Sequence, residues 1–442
     1  MSKDEYLITD TPLKALTIFA MPMILGSFFQ QVYNMADSII VGQFVGSSAL
    51  AAVGACAALT NVFICVALGA GVGAGVLVSR YFGARDYSKM KTIVSTSLIS
   101  FLILSILLGV FGFGFSNIMM SALQTPADIL DDAVLYLRVY FVGFPFLFMY
   151  NILSTMFTSI GESKIPLGLL IFSSILNIIM DLWMVAGLGL GVFGAALATL
   201  IAQGISAVLA LVTLLVRLQK FAGTERVPLF DRKLFVQILA IAVPSILQQS
   251  VLSVGNLFVQ EIVNGYGSSV VAGYSGAIKL NTFAINTFMM LGSCLSSYTA
   301  QNLGAGKPAR IPLGFQTGVK LSEVAAFPFV VLYFVFSRSM MGLFLTAESE
   351  AAIRAGIAFL RIVSPFYFMI SIKLMTDGII RGSGAMAYFV AATVPDLILR
   401  IGFALLLTPK FGSTGIWMAW PFGWFAATTL TIWFYRKVID AS

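Results

Sequence analysis

Apolar residues follow one another in long runs along almost the whole chain, and short polar breaks separate the runs. A helix that crosses a membrane needs about 20 mostly apolar residues. We therefore predict an all-α polytopic membrane protein with twelve transmembrane helices. The predicted spans are 15–43, 50–80, 93–117, 130–156, 165–187 and 191–216 in the first half, and 235–264, 270–301, 314–337, 354–380, 385–408 and 413–435 in the second.

Prolines interrupt four of these spans, at Pro22, Pro145, Pro244 and Pro365. A proline inside a helix removes a backbone hydrogen bond and crowds the preceding turn. We therefore expect a bend in each of the four helices.

Composition agrees with a membrane protein. Of the 442 residues, 59% are hydrophobic and 10% are charged, whereas a soluble domain carries about 25% charged residues. The net charge of +7 comes largely from basic loops at 80–91, 217–233 and 302–312, whereas the 118–132 loop has acids and no base and the breaks near 44–48, 188–190 and 265–269 are uncharged. By the positive-inside rule, the basic loops and both termini are cytoplasmic. The charge therefore implies no nucleic-acid partner.

The second half of the chain repeats the first. A proline opens each first span, at Pro22 and Pro244, and the turn GSS recurs at 46–48 and 267–269. We predict two pseudo-symmetric six-helix lobes, 1–216 and 234–442, joined by a cytoplasmic linker at 217–233. Transporters built from such parallel repeats bind substrate near the midplane and alternate access by rocking.

Ionisable residues inside the first lobe are costly in lipid and need a role. Asp37 shares a helix face with Gln30 and Asn34, and Asn177 lies four residues before Asp181. Together with Thr199, these groups could form an oxygen cage for a monovalent cation, and a proton would compete for the same carboxylates. The alternative is that the acids are hydrogen-bonded packing residues. Thr199 could equally bond its own helix backbone.

The second lobe has acids beside bases. Lys373 and Asp377 are four residues apart, as are Asp396 and Arg400, so each pair could neutralise itself within one helix. We interpret both as structural ion pairs lining a wet cavity. Lys279 is a possible partner for Glu261, and Glu323 is expected to lie near a cytoplasmic helix end and to extend its carboxylate towards water.

Polar amides with flexible Met side chains are typical of surfaces that bind many amphiphiles. The candidate substrate-cavity residues are Gln30, Asn34, Asn151, Gln249, Asn256, Gln260, Asn281 and Met290. For any one Met or Phe, lipid exposure or core packing is the simpler explanation.

Several kinds of chemistry are disfavoured. The chain has no histidine, and its cysteines, Cys56, Cys65 and Cys294, lie in apolar runs, so we expect neither a disulfide framework nor a transition-metal site. The sequence has no P-loop motif for ATP. We therefore predict no enzyme and no cofactor, with an ion gradient as the energy source. The glycine-rich run GAGVGAG (69–75) predicts close helix packing.

The run P…Q..YN..D (22–37) and the segments SRYFGARD (79–86), LNIIMD (176–181) and LGLGVFGAALAT (188–199) resemble the multidrug and toxic compound extrusion (MATE) family over nearly the whole chain. The resemblance implies a monomeric prokaryotic cell-membrane protein. It would export small amphiphilic organic cations and drugs in exchange for H⁺ or Na⁺.

In the DinF type of this family the cation site lies in the first lobe, and its pattern falls on Asp37, Asn177, Asp181 and Thr199, with the helix-bending proline at Pro22. The NorM type also uses acids in the seventh and tenth helices. The tenth-helix place holds Ile370 here, which favours coupling in the first lobe.

Two other functions stay open at this point. A lipid-linked sugar flippase of the same superfamily would need a larger cavity, and Lys279, Lys373 and Arg400 keep that option open. A membrane sensor or scaffold is disfavoured by the intramembrane acids. Binding of an organic cation, compared with binding of a lipid-linked pyrophosphate, separates the exporter from the flippase.

Overall fold

The computed structural model describes residues 5–221, 228–345 and 349–440. Twelve long helices run through this part of the chain, each coinciding with a predicted span to within a few residues. They are α1 (Pro12–Phe44), α2 (Ser47–Gly83), α3 (Tyr87–Ala122), α4 (Ala127–Ser159), α5 (Lys164–Asp181), α6 (Gly191–Gln219), α7 (Arg232–Asn264), α8 (Ser268–Gly304), α9 (Arg310–Phe334), α10 (Glu350–Gly382), α11 (Met386–Phe411) and α12 (Ser413–Asp440).

Length and composition support a membrane location for these helices. Ten of the twelve, within the described residues, are both long and apolar enough to span a bilayer. The other two, α8 and α12, have 37 and 28 residues and are less apolar. Large apolar side chains such as Val110 and Leu107 are more than half exposed, as expected where lipid replaces water. The predicted all-α multispan fold is confirmed.

The chain forms two compact units. The first unit comprises Leu25–Ile246, and the second comprises Met1–Ile24 together with Leu247–Ser442. The divisions fall within α1 and α7, two residues after Pro22 and Pro244. Each of these helices therefore begins in one unit and ends in the other. The lobes and linker predicted from the sequence repeat, with boundaries at 216 and 234, stay a prediction, as does the bend at Pro22.

The repeat is visible in the dimensions of the helices. Helices α1 and α7 both have 33 residues, and α2 and α8 both have 37. The recurring GSS turn begins with Gly46 and Gly267, whose φ angles are 112° and 87°. Only glycine adopts such angles at little cost. The two halves therefore share turn chemistry as well as helix length.

Glycines bring helix backbones close together in both units. A Cβ atom added to Gly73 would lie 2.6 Å from the Ala242 Cβ and 2.7 Å from the Ile238 carbonyl oxygen. In the second unit, a Cβ at Gly292 would lie 2.6 Å from the Leu374 carbonyl oxygen. The predicted packing role of the 69–75 run is confirmed.

The N-terminal segment is held by the second unit. Leu7 is fully buried in a cluster with Leu295 and Tyr298 of α8. The Asn302 side chain donates a hydrogen bond to the Leu7 carbonyl (3.1 Å), and the Arg310 guanidinium donates to the Asp10 carbonyl. These donors bond to carbonyls in and directly after the short helix Tyr6–Thr9, where helix ends leave carbonyl groups without intrahelical partners.

The predicted linker is docked at both described ends, and its residues 222–227 lie outside the described part. Phe221 stacks on Tyr87 at a ring-centroid distance of 5.1 Å, and its carbonyl accepts a hydrogen bond from Lys91 (2.9 Å). On the other side, the Asp231 backbone N–H donates to Thr96 (3.1 Å). Aromatic stacking and hydrogen bonds therefore fix both described ends of the predicted linker to α3.

Glycine packing yields a direct prediction. Gly73→Ala should destabilise the protein by about 1–3 kcal/mol, because the added methyl overpacks a helix contact that backbone atoms form. Gly114→Ala is the matched control, since no atom lies within 4 Å of its added Cβ, and it should be neutral or slightly stabilising. Thermal unfolding of the purified protein in detergent measures both. Equal stability of the two variants would contradict this packing role.

Candidate cation site

The four residues predicted to bind a cation come together within the first unit. Asp37 lies on α1, Thr199 on α6, and Asn177 and Asp181 lie one turn apart on α5. Asn177 and Asp181 are almost completely buried, at 1% and 0% exposure, and Asp37 is half-buried. Buried polar groups of this kind need partners.

Asn177 connects the members of the site. With its amide nitrogen turned towards Asp181, it donates to Asp181 Oδ2 over 2.8 Å, and its oxygen accepts from the Thr199 backbone N–H at 3.1 Å. The Thr199 hydroxyl donates to the Ala195 carbonyl at 3.1 Å. Thr199 therefore has both roles considered for it. Its hydroxyl bonds the backbone of its own helix, and it also contacts Asn177 in the site.

The two carboxyl groups face each other. Asp37 and Asp181 are close enough to hydrogen-bond through one shared proton. No hydrogen-bond donor among the described residues reaches Asp181 Oδ1. Two carboxylates in contact repel strongly in a medium of low polarity, so this pair is stable only when a proton or another cation neutralises part of its charge.

The backbone changes its winding directly after Asp181. Helix α5 ends there, and the chain continues as a π-helical segment, Leu182–Gly187. Single π-helical turns often accompany functional sites, because they displace the side chains next to them. The glycines at 187 and 189 hint at irregular backbone, but the sequence did not predict a π-helix.

Sequence reasoning missed three tyrosines around the site. The Tyr33 hydroxyl lies within hydrogen-bonding reach of Thr199. Tyr136 and Tyr140 line a small cavity beside Thr199 that also reaches Gln203 and could hold a water molecule. Tyr33 lies four residues before Asp37, so the helix-face argument that selected Asn34 and Gln30 could also have selected it.

The proposed substrate-cavity residues lie in different surroundings. Three are in the first unit, where Gln30 donates to Asn34 (3.2 Å) and Asn151 donates to the carbonyl of Leu147 in its own helix (2.8 Å). The others belong to the second unit: Gln249, Asn256, Gln260, Asn281 and Met290. Their role stays a prediction.

Among these second-unit residues, Asn281 differs in being buried. It is 3% exposed and accepts a hydrogen bond from Tyr367 (3.0 Å), within the core of that unit. Asn256, by contrast, is exposed, and Gln260 donates to Asn264 at 2.8 Å.

The charged pairs of the second unit agree only partly with expectation. Lys373 and Asp377 form the predicted ion pair, with Nζ 2.6 Å from Oδ2. Asp396 and Arg400 do not form theirs, because the Arg400 guanidinium lies over the Trp420 ring, 4.8 Å from its centroid. The prediction for that pair is wrong in this structure.

Two further expectations about charged residues are corrected. Glu323 lies near the middle of α9 and accepts a hydrogen bond from Ser371 (3.3 Å), so it does not extend to a helix end. Glu261 and Lys279 are both exposed and form no ion pair, and Lys279 lies 5.9 Å from the Phe344 ring centroid.

Within the described residues, no group of three or more Cys, Asp or Glu side chains gathers as a transition-metal site would require. The three cysteines are buried and form no disulfide within the described part of the chain. The donors at Asp37, Asp181, Asn177 and Thr199 are all hard oxygens or an amide, which suit a proton or an alkali cation.

The repeated helical halves and the buried polar site define a multispan membrane transporter. Comparison with known families then identifies the chain more closely. It belongs to the MatE family, because the sequence model of that family matches residues 22–183 and again residues 244–406. The chain is therefore a MATE transporter and not an enzyme. The double match also places the family unit once in each half.

Two relatives and one solved structure illustrate the similarity. The probable multidrug resistance protein YpnP of Bacillus subtilis (strain 168) is 27% identical over 91% of this chain and 90% of its own. The multidrug export protein MepA of Staphylococcus aureus (strain bovine RF122 / ET3-1) is 24% identical over 94% of this chain and 92% of its own. A solved MOP superfamily transporter from Pyrococcus furiosus covers 100% of this chain and 99% of its own, at 23% identity and a TM-score of 0.93. The last comparison shows the fold.

The hydrogen bonds of Asn177 can be tested by stability. Asn177→Ala should destabilise the protein by about 1–3 kcal/mol, because Asp181 Oδ2 loses a buried donor. Asn151→Ala is the matched control, since its amide bonds only a carbonyl of its own helix, and it should unfold near the wild-type temperature. The assignment fails if Asn177→Ala is as stable as Asn151→Ala in thermal unfolding.

Proposed function

We propose that the protein is a secondary active multidrug exporter that exchanges organic cations for H⁺ or Na⁺ across a bacterial cell membrane. The observation that carries this proposal is the contact between the Asp37 and Asp181 carboxyl groups in the first unit. The substrate class is supported by the relatives YpnP, a probable multidrug resistance protein, and MepA, a multidrug export protein.

The site supports ion coupling by simple electrostatics. Two carboxylates held together in lipid bind a cation or a proton strongly, because either one removes their mutual repulsion. The hydrogen bond from Asn177 holds the Asp181 carboxyl in place. The other, Asp37, lies on α1, the helix that begins in one unit and ends in the other. Occupancy of the site therefore acts on a helix that both units share.

The cycle follows from this arrangement. In the outward-open state, H⁺ or Na⁺ enters the Asp37–Asp181 site and the drug leaves. The loaded carrier rocks inward, releases the ion and binds drug from the cytoplasm. Such exchange needs one site whose occupancy changes the free-energy difference between the two states. The DinF-like assignment of that site to Asp37, Asn177, Asp181 and Thr199 is part of this proposal.

The ion is identified by imposed gradients. A pH gradient and a Na⁺ gradient are applied separately to purified protein in liposomes. One of the two should drive export of ethidium, and that gradient identifies the coupling ion. If neither gradient drives export under conditions where the protein binds ethidium, secondary antiport is the wrong mechanism.

The coupling residue is tested by substitution. Asp37→Asn should abolish gradient-driven export while leaving thermal unfolding near the wild-type temperature, because the amide keeps the shape and removes the charge. Asp131→Asn, an exposed acid near the start of α4, is the matched control and should transport normally. Normal transport by Asp37→Asn would refute the assignment of coupling to this site.

A further inference from the structure

Helix α1 carries Asp37 and is one of two long helices that begin in one unit and end in the other. It begins in the second unit at Pro12, and the part that contains Asp37 belongs to the first unit. If its start could move freely, the helix would answer a change at Asp37 by shifting as a whole. The way in which the start of α1 is held therefore bears on how occupancy of the proposed cation site is transmitted.

The backbone directly before α1 is held through its carbonyl groups. The segment concerned, residues 6–10, comprises the short helix Tyr6–Thr9 and the residue after it. Three side chains from the stretch 302–310 each donate a hydrogen bond to one of its carbonyls: Asn302 to Leu7 (3.1 Å), Lys307 to Ile8 (3.3 Å) and Arg310 to Asp10. Two of these three donors are cations, and hydrogen bonds with a charged donor are the stronger kind.

Asn302 joins these donors into one network. Its side chain is fully buried. Its oxygen accepts a hydrogen bond from Arg310 Nε at 2.9 Å, and its nitrogen also donates to the Tyr298 carbonyl at 2.8 Å. A buried amide whose donor and acceptor are both satisfied has one favourable orientation. The donor to Leu7 is therefore fixed with respect to α8, and Arg310 is fixed with respect to Asn302.

Apolar packing extends this hold into the first turns of α1. Leu16 and Phe19 are buried in one cluster with side chains of α8 and α10. Further along the helix, by contrast, no residue from 27 to 39 is buried. Helix α1 thus has a tightly held start and a loosely packed middle, and Asp37 lies in the loosely packed part.

The start of α7, the other helix that both units share, is also held in the unit where it begins. The Asp231 carboxylate accepts hydrogen bonds from the backbone N–H groups of Lys233 (2.7 Å) and Leu234 (3.1 Å), and so caps α7. The Asp231 backbone N–H donates to Thr96 of α3 at 3.1 Å. Different residues thus hold the equivalent helix of the repeat, which indicates that a fixed start is a requirement of the architecture.

We propose that Asn302 and Arg310 are positioning residues for ion coupling and act through the segment 6–10. By holding that segment they keep the start of α1 fixed, so that a change in occupancy at Asp37 displaces the middle of α1 instead of shifting the whole helix. This role rests on the proposed function, because it takes Asp37 as part of the coupling site.

The coupling factor measures this role. It is the ratio of the ethidium dissociation constants with and without a saturating concentration of the coupling ion, and for linked sites it is typically about 5–150. In the purified full-length variants Arg310→Gln and Leu7→Ala, the factor should fall towards unity, while ethidium affinity without the ion stays near the wild-type value.

Lys14→Gln is the matched control. It removes an ion pair with Asp10 (2.9 Å) whose lysine is 63% exposed, and it leaves the three hydrogen bonds to the carbonyls in place. Exposed ion pairs contribute little, so its coupling factor should equal that of the wild type. A wild-type factor in either Arg310→Gln or Leu7→Ala overturns the proposal. So does a loss of ethidium affinity without the ion as large as the loss of the factor, because that result indicates a merely structural role.

Hydrogen–deuterium exchange of the wild type gives a second readout that needs no variant to fold. The amides of α1 before Pro22 should exchange at the same rate with and without ion and ethidium, whereas the amides from 27 to 39 should change their rate. A change of equal size in both stretches, or no change in either, overturns the proposal. Failure of the proposed function has a different signature, since Asp37→Asn would then transport normally.

Discussion

The cost of placing charge in a bilayer is the constraint on which the rest of this structure depends. Lipid satisfies no backbone group and stabilises no ion, so the chain must be helical throughout its spans and must neutralise every buried charge locally. The twelve helices meet the first demand. In the second unit, Lys373 neutralises Asp377. In the first unit, Asp37 faces Asp181, so this pair needs a proton or another cation to neutralise part of its charge.

The two halves of the chain share a helical scaffold but differ in their buried polar residues. The scaffold recurs in the matching lengths of the first two helices of each half and in the glycine turns at Gly46 and Gly267. Close glycine packing occurs in both units, as at Gly73 and Gly292, whereas the buried polar groups of the two units differ. A family fold can thus hold different ion chemistry in its two halves.

Sequence reasoning predicted the spans and the repeat because these depend on local signals. It also selected Asp37, Asn177, Asp181 and Thr199, which lie together in the first unit. Apolar run length places helices, and a spacing of four residues places Asn177 beside Asp181 on one face. It failed where partners come from other helices. Arg400 has Asp396 at the favourable spacing but prefers Trp420 on α12, and Glu323 finds Ser371 on α10. The π-helical turn after Asp181 likewise has no local signal strong enough to predict it.

The most direct test of ion coupling is equilibrium binding of ethidium to the purified protein, measured by fluorescence over a range of pH and Na⁺ concentration. If the ion and the drug favour opposite states through the first-unit site, each must weaken binding of the other by the same factor. We predict that ethidium affinity falls as the coupling ion is added, and that this dependence is lost in Asp181→Asn. An ion dependence that is unchanged in Asp181→Asn would contradict the account.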